Sequence, residues 1–472
     1  MRRKIAGKLL AWKEDKRGTC LLIRGARQVG KTYSVTEFIS QNYRHHISID
    51  LSKNERARSA FDGDPTVDDI IMRLSTIFVD SRFVPGETAI FLDEIQSCPS
   101  ARTSLKSFAQ DGRYDVIASG SLIGIRMSDV DDYPVGYETR LTMYPMDFEE
   151  FLWANGMSEN VLGYIRGCIG TRTPFDGEVL RNINQWMRWY MITGGMPQAV
   201  RTFVEERKFD GVRQIHSDII QDYMDDISKH CDENQRNRVE RMFESVSAQL
   251  AKEKVRFVYS DVERDVGYDV GSEYYGYSRN WLKQAGLTLE CIALNEPHMP
   301  LTERKDDRRF KLYFNDTGLL TSMYEAEIQY EILTGNTGVN RGAVMENLVA
   351  QMLASQGRSL FYYYRPKDLK ESKDGSIKSV SPIELDFITV VGGHVTAIEV
   401  KSGRKSRGKS LLRAMDEFGV KGIKLGNWNI QSDENGVLHL PIFAAAFMDC
   451  VDPPRDMSVD TSSIDRLNEM FG

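Results

Sequence analysis

Gly25-Ala26-Arg27-Gln28-Val29-Gly30-Lys31-Thr32 fits GxxxxGK[ST] at every position. An apolar run, Thr19 to Arg24, precedes it, and a helical stretch opens at Lys31. Strand, glycine-rich turn and helix, in that order, aim backbone N–H groups and a helix N-terminus at an anion. Gly25 and Gly30 permit backbone angles that a Cβ forbids. Ala26, Arg27, Gln28 and Val29 supply the rest of the cradle. Lys31 carries a point charge toward β- and γ-phosphates, and Thr32 offers a hydroxyl to Mg²⁺.

Around this loop, the first 150 residues or so alternate strands and helices. His46 to Leu51, Thr88 to Leu92 and Asp115 to Ala118 read as further strands, and Ile70, Ile71, Leu74, Ile77 and Phe78 have helical spacing. This rhythm predicts a parallel α/β sheet covered by helices. Ala89-Ile90-Phe91-Leu92 is apolar and ends in Asp93-Glu94. A buried parallel strand reads as such a run, and acids at its C-terminal end emerge where ligands bind these sheets. Asp93 is expected in the Mg²⁺ shell, with Glu94 orienting the attacking water. The next strand ends at Ser119-Gly120-Ser121, where a hydroxyl can reach phosphate or water and a plain turn fits nearly as well. Arg140 reads as a surface arginine in preference to a phosphate contact in trans.

The 472 residues suggest about three domains. Apolar residues make up 41% and charged residues 27%, an ordinary globular balance that argues against a disordered, collagenous or coiled-coil chain. With 61 Lys and Arg against 68 Asp and Glu, the net charge is −7, unlike a globally basic nucleic-acid coat protein. Six scattered cysteines form no CxxC pair, so free thiols are expected, and no histidine has metal-ligand spacing. The longest apolar runs, such as Ile442 to Met448, fall far short of the ~20 residues that span a bilayer. A cytoplasmic protein with no membrane partner is the expectation.

Helical patterns dominate Phe151 to Tyr330, punctuated by Gly194, Gly195 and Pro197. Helices and then a hairpin between Val239 and Leu301 hint at a winged helix. The cluster Arg304, Lys305, Arg308, Arg309 and Lys311 reads as a solvated loop. From Gly342 one helix and several strands form an α+β unit, and a polar tail follows. The predicted boundaries are 1–155, 156–335, 336–450 and 451–472.

With these motifs in view, the chain resembles bacterial and archaeal AAA+-like ATPases that carry an uncharacterised C-terminal domain. The carrying residues are the phosphate loop, Asp93-Glu94, Ser119-Gly120-Ser121, the run Pro145-Met146-Asp147-Phe148-Glu149-Glu150-Phe151, Gly194-Gly195-Met196-Pro197, Tyr313 to Leu319, and Glu399-Val400-Lys401-Ser402-Gly403. The resemblance implies an AAA+-like P-loop sheet with the Ser119 strand between those of Lys31 and Asp93. It also implies a winged-helix-like middle and a restriction-endonuclease-like C-terminal domain.

That C-terminal segment pairs Ile383-Glu384-Leu385-Asp386-Phe387-Ile388 with Ala397-Ile398-Glu399-Val400-Lys401 around Gly392-Gly393. A two-residue turn sets Val391 opposite His394 and, counting back, Asp386 opposite Glu399 and Glu384 opposite Lys401. Alternation then gives a core face of Ile383, Leu385, Phe387, Ile398 and Val400, and a polar face of Glu384, Asp386, Glu399 and Lys401. Facing carboxylates are destabilising unless neutralised. A divalent cation would do that, with Lys401 polarising a water. This is the D…ExK arrangement of the PD-(D/E)xK nuclease-like fold, which the segment resembles, and Glu346 matches the acidic residue that often completes that site. Lys401, Arg404, Lys405, Arg407, Lys409 and Arg413 fit either phosphate binding or a solvated face.

The expectation is an ATP-binding, Mg²⁺-dependent ATPase, with Lys31 and Glu94 catalytic, coupled to a nuclease-like domain whose metal set is Glu346, Asp386 and Glu399. The alternative is a nucleotide-controlled scaffold or regulator whose inactive nuclease-like domain binds a nucleic acid or protein. Self-association is compatible with either.

Overall fold

The computed structural model describes residues 1–120, 136–252, 256–262, 272–335, 341–371, 377–403 and 408–451. Ser121, Arg404, Lys405, Arg407 and the tail beyond Val451 lie outside the described residues.

Five parallel strands form the first sheet: β1 (Cys20–Arg24), β2 (His45–Asp50), β3 (Thr88–Asp93), β4 (Asp115–Gly120) and β5 (Glu138–Thr142). Their order is β2-β3-β4-β1-β5. All six residues of β3 are buried, as a run apolar on both faces requires. Ile23, Phe91 and Ile117 enter one core, and Leu22, Ile90, Leu92 and Val116 the other. As the resemblance implied, β4 lies between β1 and β3. The C-terminal edge therefore gathers the phosphate loop, Ser119 and Asp93.

Helices follow at Phe148–Ala154, Glu159–Thr171, Gly177–Thr193, Pro197–Glu206, Asp210–His230, Glu233–Ala251 and Ser272–Gln284. The helices give way after residue 287 to the expected hairpin, whose second strand lies beyond Leu301. There β6 (Thr288–Leu294) and β7 (Lys305–Phe314) form an antiparallel pair. The basic cluster expected as a loop is thus largely strand. Phe310, Leu312 and Phe314 are buried, so apolar burial, rather than the density of charge, decides its conformation.

The second sheet adds β8 (Leu360–Arg365), β11 (Ile383–Val391), β12 (His394–Val400), β13 (Lys421–Gly426), β14 (Gln431–Ser432) and β15 (Leu438–Pro441). A separate small pair consists of β9 (Asp368–Glu371) and β10 (Ile377–Val380). The eight-stranded order is β14-β15-β13-β12-β11-β8-β6-β7. β6 pairs in parallel with β8, so this sheet recruits two strands from before residue 336.

The β11–β12 hairpin turns at Gly392-Gly393, both with positive φ, and Val391 faces His394 as expected. The ladder runs to Phe387–Ile398, but a register shift between Leu385 and Ile388 breaks the pairing of β11 with β8. That irregularity corrects the predicted core face. Phe387, Ile398 and Val400 share one core with the first sheet, whereas Ile383 and Leu385 pack on the other side with Ile388 and Ala397. An extra residue in a strand inverts the facing of everything beyond it.

Three motifs that the phosphate loop leaves unexplained converge at one buried joint. Met146 N donates to Gly195 O (2.7 Å), and Gly195 N donates to Asp316 Oδ2 (2.5 Å). Tyr190 Oη donates to Met146 O (2.7 Å), and Gln351 Nε2 donates to Tyr190 Oη (2.9 Å). Gln351 belongs to the Arg341–Ser355 helix, which also carries Glu346. The first sheet, the helical middle and the second sheet thus share one network of hydrogen bonds.

Candidate nucleotide site and a distal carboxylate–lysine pocket

Gly30 caps the Lys31–Asn42 helix with φ 93°, which a side chain rarely tolerates. Ala26 and Val29 anchor the loop from below, both buried. Met143 N donates to Arg24 O (2.7 Å), tying the loop's strand to the segment after β5. Lys31 is buried, and its Nζ donates to Gly25 O (3.1 Å) and Ala26 O (2.9 Å). Burial pushes its pKa down, and Glu94 and Asp93 oppose that shift.

Asp93 is held from three sides. Thr32 Oγ1 donates to its Oδ2 (2.7 Å), the Glu94 N–H donates to its Oδ1 (3.2 Å), and Ser119 Oγ also donates to Oδ1. Ser119 therefore orients Asp93, a role its sequence context left open. The hydroxyl–carboxylate pair of Thr32 and Asp93 has the donor chemistry of a Mg²⁺ shell. Glu94 has φ 52° and ψ 49°, a left-handed conformation that non-glycine residues adopt at a cost. Gln96 Nε2 donates to Glu94 Oε2. Arg140 is exposed and pairs with Glu138 (2.9 Å).

These residues open on a cavity of about 1270 Å³ whose far wall comes from the Asp210–His230 and Ser272–Gln284 helices. Arg27 pairs with Asp226 (2.6 Å), and Gln28 Nε2 donates to Asp222 Oδ2 (2.5 Å). Arg3 Nη1 donates to Val29 O (2.8 Å). Sequence reading missed Arg3, Asp222 and Asp226. Each lies in a helical or terminal context without a motif, and only the i, i+4 spacing of the two aspartates hints at a shared face.

A second cavity, about 530 Å³, brings Glu346, Asp386, Glu399 and Lys401 together, as the D…ExK reading expected. It also contains Lys311, which that reading placed on a solvated loop. Lys311 Nζ lies 3.4 Å from Glu346 Oε2, and Tyr313 Oη donates to the same oxygen (3.0 Å). Lys401 pairs with Glu399 Oε1 (2.7 Å), and the Val400 N–H donates to Asp386 Oδ2 (2.7 Å). Burial raises the Asp386 pKa, and Glu346 adds to the shift. Burial alone would lower that of Lys311, but Glu346 and Asp386 outweigh it and raise it. Glu399 Oε2 is buried without a hydrogen-bond partner.

Among the described residues no three Asp, Glu, His or Cys side chains gather as a metal set. Glu346, Asp386 and Glu399 share the cavity, but each commits an oxygen to a protein donor. Lys311 and Lys401 supply positive charge, the Tyr313 hydroxyl and the Val400 N–H each take up one carboxylate oxygen, and the three acids do not gather about one point as the expected metal set would. Of the basic stretch, Lys409 is exposed and Arg413 Nη1 donates to Pro382 O (3.0 Å). Tyr362 and Tyr363 are buried and unavailable for base stacking.

Among the described residues no helix is long and apolar enough to cross a membrane. The AAA domain family matches residues 17–152. Two domains of unknown function match residues 184–330 (DUF8612) and 341–435 (DUF4143). No curated protein sequence matches the chain. Similar solved structures include the Walker-type ATPase PABY2304 of Pyrococcus abyssi, at 14% identity, covering 68% of this chain and 95% of that one, with TM-score 0.43. The Aeropyrum pernix ORC1 protein, in complex with DNA, is similar at 12% identity over 70% and 93%, with TM-score 0.29. PCH-2 of C. elegans is similar at 11% over 42% and 57%, with TM-score 0.23. Motif, strand order and family match agree on a P-loop ATPase-like amino-terminal unit, similar to the AAA domain family over residues 17–152.

Proposed function

We propose that this protein binds and hydrolyses ATP and that its nucleotide state controls the C-terminal domain. The observation that carries the reading is the Thr32–Asp93–Ser119 hydrogen-bond network beside buried Lys31 at the mouth of the larger cavity. Loop N–H groups and the helix N-terminus hold the phosphates. Lys31 leaves its carbonyl partners for the β- and γ-phosphate oxygens. Thr32 and Asp93 would hold Mg²⁺, which when bound supplies positive charge to the phosphate oxygens. Ser119 keeps Asp93 oriented. Glu94 accepts a hydrogen bond from the attacking water and aligns it, and Gln96 fixes the Glu94 carboxylate. Lys31→Ala should abolish ATP binding in a calorimetric titration. Glu94→Gln should retain ATP while phosphate release stalls, and normal turnover by that variant would refute the water-positioning role.

For the distal domain, a partner-binding role fits the pocket best, because protein donors already engage its carboxylates. Nucleic acid reaching the basic stretch, or a protein, is the occupant proposed. A metallonuclease is the second reading, favoured by the meeting of Glu346, Asp386, Glu399 and Lys401 in one cavity and by the unpartnered Glu399 Oε2. A Mn²⁺ or Mg²⁺ cleavage assay on single- and double-stranded DNA with ATP separates the two. Cleavage that Glu399→Ala abolishes establishes the nuclease, and inert wild type removes it.

A further inference from the structure

The Asp210–His230 helix gives the nucleotide cavity a wall of three acids and one lysine, Lys229. Asp222, Asp225 and Asp226, at i, i+3 and i+4, share one face of the Asp210–His230 helix and line the cavity that holds Lys31 and Thr32. This face also grips the phosphate loop. Arg27, inside the loop, pairs with buried Asp226 (2.6 Å), and Gln28, at φ 65°, donates to Asp222 (2.5 Å). Tyr223 Oη donates to Arg27 O (3.4 Å). The three contacts that grip the loop thus fall within two turns of a single helix. The arrangement opposes a triphosphate twice over. It occupies the guanidinium of the loop itself, and it sets three carboxylates against the single cation of Lys229 across from an incoming polyanion.

We propose that the Asp222–Asp226 face is an autoinhibitory latch on the phosphate loop, released when ATP phosphates take Arg27 from Asp226. This rests on the proposed nucleotide function and adds its regulation. ATP binding is coupled to displacement of the Asp210–His230 helix, because phosphate and Asp226 compete for one guanidinium. Neutralising the acidic face therefore strengthens ATP binding, whereas acids that serve the nucleotide would weaken it when neutralised. A purely structural role predicts no gain at all.

The test is ATP titration of the full-length protein at low and at high salt. Asp226→Asn and the exposed pair Asp222→Asn/Asp225→Asn should each bind ATP about tenfold more tightly than wild type at low salt. The advantage of the exposed pair should shrink as salt screens it. Asp226→Glu, which keeps the charge, should stay near wild type. If wild type binds ATP and the neutral variants bind no tighter, the latch is overturned and the nucleotide reading stands. If neither wild type nor any variant binds, both fall.

Discussion

Asp316 has no exposed surface, yet it accepts hydrogen bonds from the Gly195 and Leu319 N–H groups at the joint between the sheets. Burial raises its pKa to about 6 despite those bonds. The folded state therefore binds a proton more readily than the unfolded chain. This group's contribution to stability is largest below about pH 4 and is lost as pH climbs through 6, by on the order of 3 kcal/mol. Buried His216 has the opposite slope. Its pKa falls to about 4, so its contribution is present above 6.5 and lost as pH falls toward 4. The two offset in the wild type. Asp316→Asn removes the first slope and keeps the second, so the variant should gain stability relative to wild type as pH rises from 4 to 6. Urea unfolding at several pH values checks this, and a pH-independent difference would refute the assignment. Lys311→Met should cost about 3–5 kcal/mol in the same measurement, since it strips the cation from Glu346 and Asp386. A loss below 1 kcal/mol would show that Lys311 does not neutralise them.

Elements meet at this joint through backbone, which leaves no room for adjustment. A Cβ on Gly195 would overlap the Met146 carbonyl, while Met146 N is bonded to Gly195 O. Gly195→Ala is expected to destabilise by about 3 kcal/mol and to raise proteolytic sensitivity between the helical middle and the first sheet. A wild-type unfolding midpoint for this variant would show that the close approach is dispensable. The β11 irregularity matters in the same way. It turns Ile383 and Leu385 away from Phe387 and leaves Asp386 to accept a bond from the Val400 N–H in place of an orderly ladder. The periodicity of β11 gives no warning, because the apolar residues fit either facing.

Across the folded chain, a ligand that binds only the folded state stabilises everything that unfolds with it. Saturating ATP at a hundred times its Kd should add about 2.7 kcal/mol. The joint ties the second sheet to the first, so the unfolding midpoint of the C-terminal domain should rise too. Lys31→Ala should cancel the shift. An equal shift in that variant would place the nucleotide elsewhere.

Local pattern was enough to read the phosphate loop, the acid pair at the end of β3 and the β11–β12 turn, and the resemblance carried by those motifs supplied the placement of β4 in the first sheet. Loop, acid pair and turn each depend on neighbours within a few residues, where backbone angles and period-two or apolar patterning act directly. Long-range packing settled the rest. It recruited β6 and β7 into the second sheet, inserted Lys311 among the distal carboxylates, and laid Asp222 and Asp226 against Arg27 and Gln28. Those pairings join residues tens to hundreds of positions apart. Their partners are selected by burial and charge compensation in the folded molecule, and no local pattern encodes them.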